Sequence, residues 1–311
     1  MKSAGNTKNG TGRKRKILAG IAVLLAVGVG FLLSKWKEAS DHGGQLPREP
    51  FRIAGNLYYV GTRDVTSFLL TGPVGHVLID GGYPGTAPMI LKSIATLGFA
   101  IKDVKVLLNS HAHFDHAGGL AALQKASGAT LWIHERDADI VATGGATDPT
   151  IGPFRILAAV GLLKYPPPRI DHQFKDGAQV QLGPIRLTAH ATPGHTPGCT
   201  TWAFPVQHGG RELLAVLATD MVLLPTASLV EPESYPGIRA DFEHSFRVLR
   251  SLPTDIYLTS HARAFSLKRK AQERATAPDP VLPFIDRQGY IEDITKAEAA
   301  FRKALKEQQQ Q

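Results

Sequence analysis

His111-Ala112-His113-Phe114-Asp115-His116-Ala117-Gly118-Gly119 is the stretch from which the rest of the chain can be read. It places four metal-ligating side chains within six residues. Val104-Lys105-Val106-Leu107-Leu108-Asn109-Ser110, just before it, predicts a buried strand, and Leu120 to Lys125, just after it, a helix. A strand that ends in a ligand-rich loop suits an open metal centre, and imidazole and carboxylate are ligands that catalytic zinc accepts. His111 and His113 stand two apart, so in extended chain they project to one side and can grip one ion. Asp115 and His116 follow the turn and can face a second position. Two adjacent ions would use all four groups and need further ligands from elsewhere in the chain.

Such ligands are present. Pro193-Gly194-His195-Thr196-Pro197-Gly198 puts a histidine in a tight turn after the strand-like Ile185 to His190. Asp255-Ile256-Tyr257-Leu258-Thr259-Ser260-His261-Ala262 puts another where an apolar run stops. Asp220 closes the strand-like Leu213 to Thr219. Every candidate sits at a predicted strand end, and strand ends on one edge of a layered sheet can converge. His42, His76, His134, His172, His208 and His244 stand alone and read as surface or packed residues. His190 alternates with apolar neighbours and reads as packed or lying just behind the site.

The bulk properties narrow the function. The chain of 311 residues has a net charge of +8, but its distribution is uneven. Eight of the 35 basic residues lie in residues 1–37, which hold no acid, leaving 27 basic against 27 acidic groups in the rest. The catalytic part carries no net positive charge and no dense basic patch, which argues against a nucleic-acid substrate. The single cysteine, Cys199, excludes an internal disulfide framework and a multi-thiolate zinc site. No protein partner is evident.

Residues 1–16 read as a basic cytoplasmic tail. Residues 17–34 contain an unbroken apolar run that predicts a transmembrane anchor or, alternatively, a cleaved signal segment. The predicted location is therefore periplasmic, or the exported side of the inner membrane, with the membrane reached through the N-terminal helix. Residues 35–49 read as a linker and 50–311 as one folded domain. Within it, strands are predicted near residues 51–54, 57–60, 67–70 and 76–80, with turns at Gly55-Asn56 and Gly72-Pro73. A helix over Met89 to Leu97, another over Phe242 to Leu252 and an amphipathic one over Ile291 to Lys306 follow. The tail from Gln308 to Gln311 is expected to be disordered. Residues 143–170, rich in glycine and proline, read either as a lid over the site or as a packed surface loop. Strands followed by helices occur twice, which predicts an α/β four-layer αβ/βα sandwich.

Taken together, the His-x-His-x-Asp-His loop, the later Gly-His, the aspartate at a strand end and the final Ser-His-Ala resemble the metallo-β-lactamase superfamily. Ile53 to Gly61, Leu78-Ile79-Asp80-Gly81-Gly82, Asn109 to Leu120 and Thr192 to Thr200 are most similar to its third β-lactamase subclass. The resemblance implies two zinc ions. His111, His113 and His195 would hold one, and Asp115, His116 and His261 the other. Asp220 either bridges the ions, as in related thioester and lactone hydrolases, or stands just behind their ligands. The implied activity is opening of a β-lactam ring by metal-bound hydroxide, with Asp115 orienting the nucleophile and aiding proton transfer. Met221 and Leu223 stand where the subclass usually has small hydroxyl residues near the second zinc, so the substrate pocket departs from its relatives there. A lactone, thioester or other strained ester is the alternative substrate. An inactive, membrane-anchored binding module would be expected to lose its ligands, and all six are intact.

Overall fold

A computed structural model describes residues 44–152 and 164–310, together with four N-terminal residues, Val27, Gly28, Gly30 and Phe31, that are helical. The predicted anchor over 17–34 otherwise lies outside the described residues, as do residues 153–163 of the glycine- and proline-rich segment. Among the described residues no helix is long and apolar enough to cross a membrane.

Seven strands form the first sheet in chain order: β1 (Phe51–Ala54), β2 (Leu57–Tyr59), β3 (Phe68–Leu70), β4 (His76–Ile79), β5 (Val104–Leu108), β6 (Thr130–His134) and β7 (His172–Phe174). Pairing is antiparallel up to β4 and parallel from β4 to β7. The parallel connections carry α1 (Ala87–Thr96), the short α2 (Phe114–Ala117), α3 (Leu120–Ser127) and α4 (Ala138–Ala142). Side-chain alternation explains why the strands are apolar on both faces. Phe68, Leu70, Val77, Ile79, Val106 and Leu108 point into the core shared with the second sheet. Leu69, Leu78 and Leu107 point the other way, onto Ile90 and Ile94 of α1 and Leu120 and Leu123 of α3.

The second sheet has five strands: β8 (Gln179–Leu182), β9 (Ile185–Ala191), β10 (Thr200–His208), β11 (Arg211–Ala218) and β12 (Ile256–Thr259). β12 is parallel to β11 and the others are antiparallel. α5 (Ile238–Ser251), α6 (Leu267–Glu273) and α7 (Arg287–Gln308) follow in this half. α7 packs on β12 and α5, and Phe301 stacks on Phe242 of α5 with ring centroids 5.2 Å apart. The layers therefore run helices, sheet, sheet, helices, as expected from the repeated strands-then-helices order.

Three departures from the sequence reading have local causes. The linker expected over 35–49 is shorter, because residues 44–49 are tied to the domain. The Gly44 carbonyl accepts from Thr62 Oγ1 at 2.8 Å, and the Leu46 carbonyl from the Arg63 amide at 2.9 Å. Gln308, expected in a disordered tail, is ordered: α7 runs to it, and its carboxamide accepts from the Leu229 amide at 2.7 Å and donates to the Ala227 carbonyl at 2.9 Å. β7 and the one-turn α2 and α4 were not foreseen, since pieces of three to five residues are too short to show a period.

Candidate metal centre

The six predicted ligands and Asp220 meet at one end of the two sheets. The loop after β5 brings His111, His113, Asp115 and His116. The loop after β9 brings His195, that after β11 Asp220, and that after β12 His261. Two backbone features allow the approach. Gly119 lies so close to the Gly81 carbonyl that a Cβ there would come within 2.1 Å of the oxygen, which lets the β4 loop pack directly on the start of α3. Gly194 has φ +140° and passes over the Phe242 ring, which turns His195 inward.

Three overlapping groups have ligand atoms within 4.8 Å of one another: His111, His113 and His195; His111, Asp115 and His116; and His116, Asp220 and His261. Around an ion bound at about 2.0–2.1 Å, tetrahedral ligands stand about 3.3 Å apart. His113 Nδ1 and His195 Nε2 are 3.0 Å apart, and His116 Nε2 and His261 Nε2 3.4 Å. Asp115 Oδ2 lies 3.4 Å from His116 Nε2 and 3.5 Å from His261 Nε2. Asp220 Oδ2 is 3.2 Å from His261 Nε2, 3.8 Å from His195 Nε2 and 4.0 Å from His111 Nε2, so one oxygen faces both sets. His111 Nε2 is buried and makes no hydrogen bond, a costly state for an imidazole nitrogen unless something else occupies it. The donor set, its spacing and this orphaned nitrogen all fit a metal.

The comparisons with known proteins agree with this geometry. The model of the metallo-beta-lactamase superfamily matches residues 60–261. The chain belongs to that superfamily. Among solved structures, it is similar to the native FEZ-1 metallo-beta-lactamase from Legionella gormanii, with 39% identity, TM-score 0.80, and 85% of this chain and 98% of that one covered. It is also similar to BJP-1, a subclass B3 metallo-beta-lactamase of Bradyrhizobium japonicum, with 32% identity, TM-score 0.78, and 87% and 98% covered. Among curated proteins, it is 27% identical to the N-acyl homoserine lactonase AttM of Agrobacterium fabrum over 218 residues, 61% of this chain and 76% of that one. Three other curated hydrolases match over 40–56% of their own lengths, and two more over 75–80%.

In this member of the superfamily each imidazole has its second nitrogen facing a protein partner. Ser110 Oγ lies 3.1 Å from His111 Nδ1 and itself donates to Asp80 Oδ2 at 2.7 Å. Asp148 Oδ2 is 3.1 Å from His113 Nε2, and Asp80 Oδ2 3.4 Å from His116 Nδ1. The Val222 carbonyl accepts from His195 Nδ1 at 2.6 Å, and Asp64 Oδ2 is 3.2 Å from His261 Nδ1. Carbonyl and carboxylate oxygens only accept, and Ser110 Oγ spends its own proton on Asp80, so these nitrogens carry protons and the opposite ones are the atoms left for a metal. Asp137 ties the two loops of the first set together. It accepts from the Ala112 amide at 2.9 Å, Thr196 Oγ1 at 2.7 Å and the Gly198 amide at 2.6 Å.

Without metal the electrostatics are alternating. Burial, followed by the neighbouring His116, His113 and His195 rings, holds His111 well below the usual histidine value. Burial and His113 bring His195 down to about 4. Burial opposes the charge on His116 and His261 too, but Asp115 lifts His116 well above its ordinary value and Asp220 lifts His261 to about 9. Burial would raise Asp115 and Asp220, yet His116 and His261 respectively hold them below the carboxylate range. The cluster thus stores protons on the imidazoles that face carboxylates, in positions a cation can take over.

Sequence reasoning missed Asp64, Asp148 and the Val222 carbonyl, because each is a lone group in a turn with no spacing pattern. Asp80 had one available signal: a non-glycine residue before Gly81-Gly82 at a strand end, here with φ +65°. Of the segment 143–170, the described part reaches the site through Asp148 and Thr150, and Tyr165 Oη donates to the Ala112 carbonyl at 2.8 Å. His190 is half-buried on β9, outside the cluster. Met221 and Leu223 line a hollow of about 350 Å³ against Ala297, Ala300 and Ala304 of α7, while their loop gives the metal centre its Val222 carbonyl.

Proposed function

We propose that the chain is a dinuclear zinc hydrolase that opens β-lactam rings. The observation that carries the reading is the set of five imidazoles, each with one nitrogen facing a protein partner and the other turned into one cluster with Asp115 and Asp220. Two zinc ions fit: one by His111, His113 and His195, the second by Asp115, His116 and His261, with Asp220 facing both. Zinc there supplies Lewis acidity toward a carbonyl and lowers the pKa of water to about 7. The chain's own part is placement and proton handling. Asp115, whose Oδ2 stands 3.4 Å from His116 Nε2 and 3.5 Å from His261 Nε2, would orient the attacking water, take its proton and return it to the leaving nitrogen. No serine nucleophile is needed.

Likeness to FEZ-1 and BJP-1 over nearly their whole lengths supports a β-lactam substrate. A lactone or thioester is the second reading. Asp220 facing both ligand sets and the apolar Met221 and Leu223 favour it, as does the similarity to AttM. A panel of a chromogenic cephalosporin, a carbapenem, an acyl lactone and a thioester decides between them. Turnover of both β-lactams well above the other two is expected; turnover of the lactone or thioester alone would reject the β-lactam reading.

The same proposal places the enzyme on the exported side of the inner membrane, held by residues 17–34 or released after their cleavage. Fractionation with protease accessibility tests this. Enzyme found only in the cytoplasmic fraction and protected with it would overturn it.

A further inference from the structure

His113 differs from the other four imidazoles. His111, His116, His195 and His261 turn Nε2 to the centre, whereas His113 turns Nδ1, which lies 3.0 Å from His195 Nε2. The backbone does not impose this choice, because an imidazole can offer either nitrogen. The difference lies in the partner on the far side of the ring. His113 Nε2 lies 3.1 Å from Asp148 Oδ2 and 3.3 Å from Thr150 Oγ1. Asp148 is itself immobilised: its Oδ1 accepts from the Thr150 amide at 2.8 Å and from Thr150 Oγ1 at 2.6 Å, and it is buried. The Thr150 carbonyl in turn accepts from Thr226 Oγ1 at 3.2 Å. Thr226 belongs to the loop whose Val222 carbonyl aims His195. Two of the three histidines of the first set are therefore aimed by two loops that bond to each other.

We infer that Asp148 is a positioning residue for the first metal site: it selects Nδ1 of His113 as the ligand atom, and its loop and the 222–226 loop set that site as one unit. This rests on the reading of the cluster as a metal centre but not on the identity of the substrate. The two histidines of the second site are aimed by other partners, His116 by Asp80 and His261 by Asp64. Asp148→Ala leaves His113 Nε2 only the hydroxyl of Thr150 at 3.3 Å in place of a carboxylate, so the ring's preference between nitrogens and between rotamers weakens. Partners of this kind govern about 10–100-fold in metal affinity.

The test is cobalt(II) titration of the metal-free full-length protein, wild type against Asp148→Ala and Thr226→Val, read by visible absorption. Nitrogen-15 NMR of histidine-labelled, zinc-loaded protein accompanies it. Wild type is expected to take two ions and to show one imidazole protonated at Nε2 among others protonated at Nδ1. Asp148→Ala is expected to weaken one site by about 10–100-fold, leave the other within about threefold, and lose the distinct Nε2–H signal. Thr226→Val, which removes only a surface-loop hydroxyl contact, is expected to weaken the same site by a few-fold while folding normally. Unchanged affinity and an unchanged Nε2–H signal in Asp148→Ala would overturn the inference. So would equal loss at both sites in Asp148→Ala together with no effect of Thr226→Val, which would mark Asp148 as merely structural. A wild-type protein that binds no cobalt would instead overturn the metal-centre reading itself.

Discussion

Stripping the metal with a chelator is expected to lower hydrolysis by about a thousandfold or more and to lower the unfolding temperature by on the order of 10 °C. The activity loss follows because the proposed chemistry draws both its Lewis acid and its activated water from the metal. The stability loss follows from linkage. Free metal at about a thousand times its dissociation constant stabilises the folded state by about 4 kcal/mol, and that contribution vanishes on removal. Neither change is expected to be large if the imidazole cluster is only a hydrogen-bonded core, so an unfolding temperature unmoved by chelator would reject the metal centre. The effect depends on pH, with a sign set by the protons the metal displaces. In the metal-free protein burial works against the His261 charge, and Asp220 outweighs it to raise His261 to about 9. Metal needs the neutral ring, so affinity is expected to rise with pH up to about 9, by up to tenfold per unit for each proton displaced. The metal-free protein behaves oppositely. A folded pKa above the unfolded one contributes stability that is fully present below the ordinary histidine value and is lost as pH rises through about 9. Metal titrations at about pH 6 and about pH 8 that give the same affinity would contradict this.

Asp80→Ala is the substitution with the largest expected effect on folding. Asp80 is buried at the end of β4 and serves four donors. Oδ1 accepts from Asn109 Nδ2 at 2.9 Å and the Ser110 amide at 2.7 Å; Oδ2 accepts from Ser110 Oγ at 2.7 Å and faces His116 Nδ1 at 3.4 Å. Removing one carboxylate leaves all of these buried donors unpaired. Each orphaned group costs about 1–3 kcal/mol, and breaking a buried charged pair about 3–5 kcal/mol, so a loss of about 4 kcal/mol is expected. Asp80 also lies in the left-handed region with φ +65°, which alanine adopts less readily. Chemical unfolding with metal saturating in both proteins checks the figure. A loss under about 1 kcal/mol would show that water replaces the carboxylate. Activity is expected to fall as well, because Asp80 aims His116 directly and His111 through Ser110.

The layered fold was legible because its signals are local. β4 and β5 carry apolar residues on consecutive positions, which marks strands covered on both faces, and Ile294, Ala297, Phe301 and Leu305 mark the inner face of α7. What escaped prediction was short or depended on distant chain. β7 has three residues, one of them buried, so no period could reveal it. Gln308 was read as the start of a disordered tail, since its order comes from the backbone of residues 227 and 229 rather than from its neighbours. Gly44 and Leu46 read as linker for the same reason: their partners are Thr62 and Arg63.

The sequence by itself determined which side chains could form the centre. His111, His113, Asp115 and His116 are placed by a strand and the turn that ends it, and His195, Asp220 and His261 each close a strand of their own. Strand ends are a local property, readable from where an apolar run stops. Only the tertiary structure decided how each group faces the others. Whether Asp220 reaches one ligand set or both, and which nitrogen each ring turns inward, depends on partners far away in the chain. Asp64 meets His261 across 197 residues and Thr150 meets His113 across 37. Imidazole is symmetric enough to bind through either nitrogen, so its orientation is set by the acceptor behind it, and that acceptor arrives only when the chain has folded.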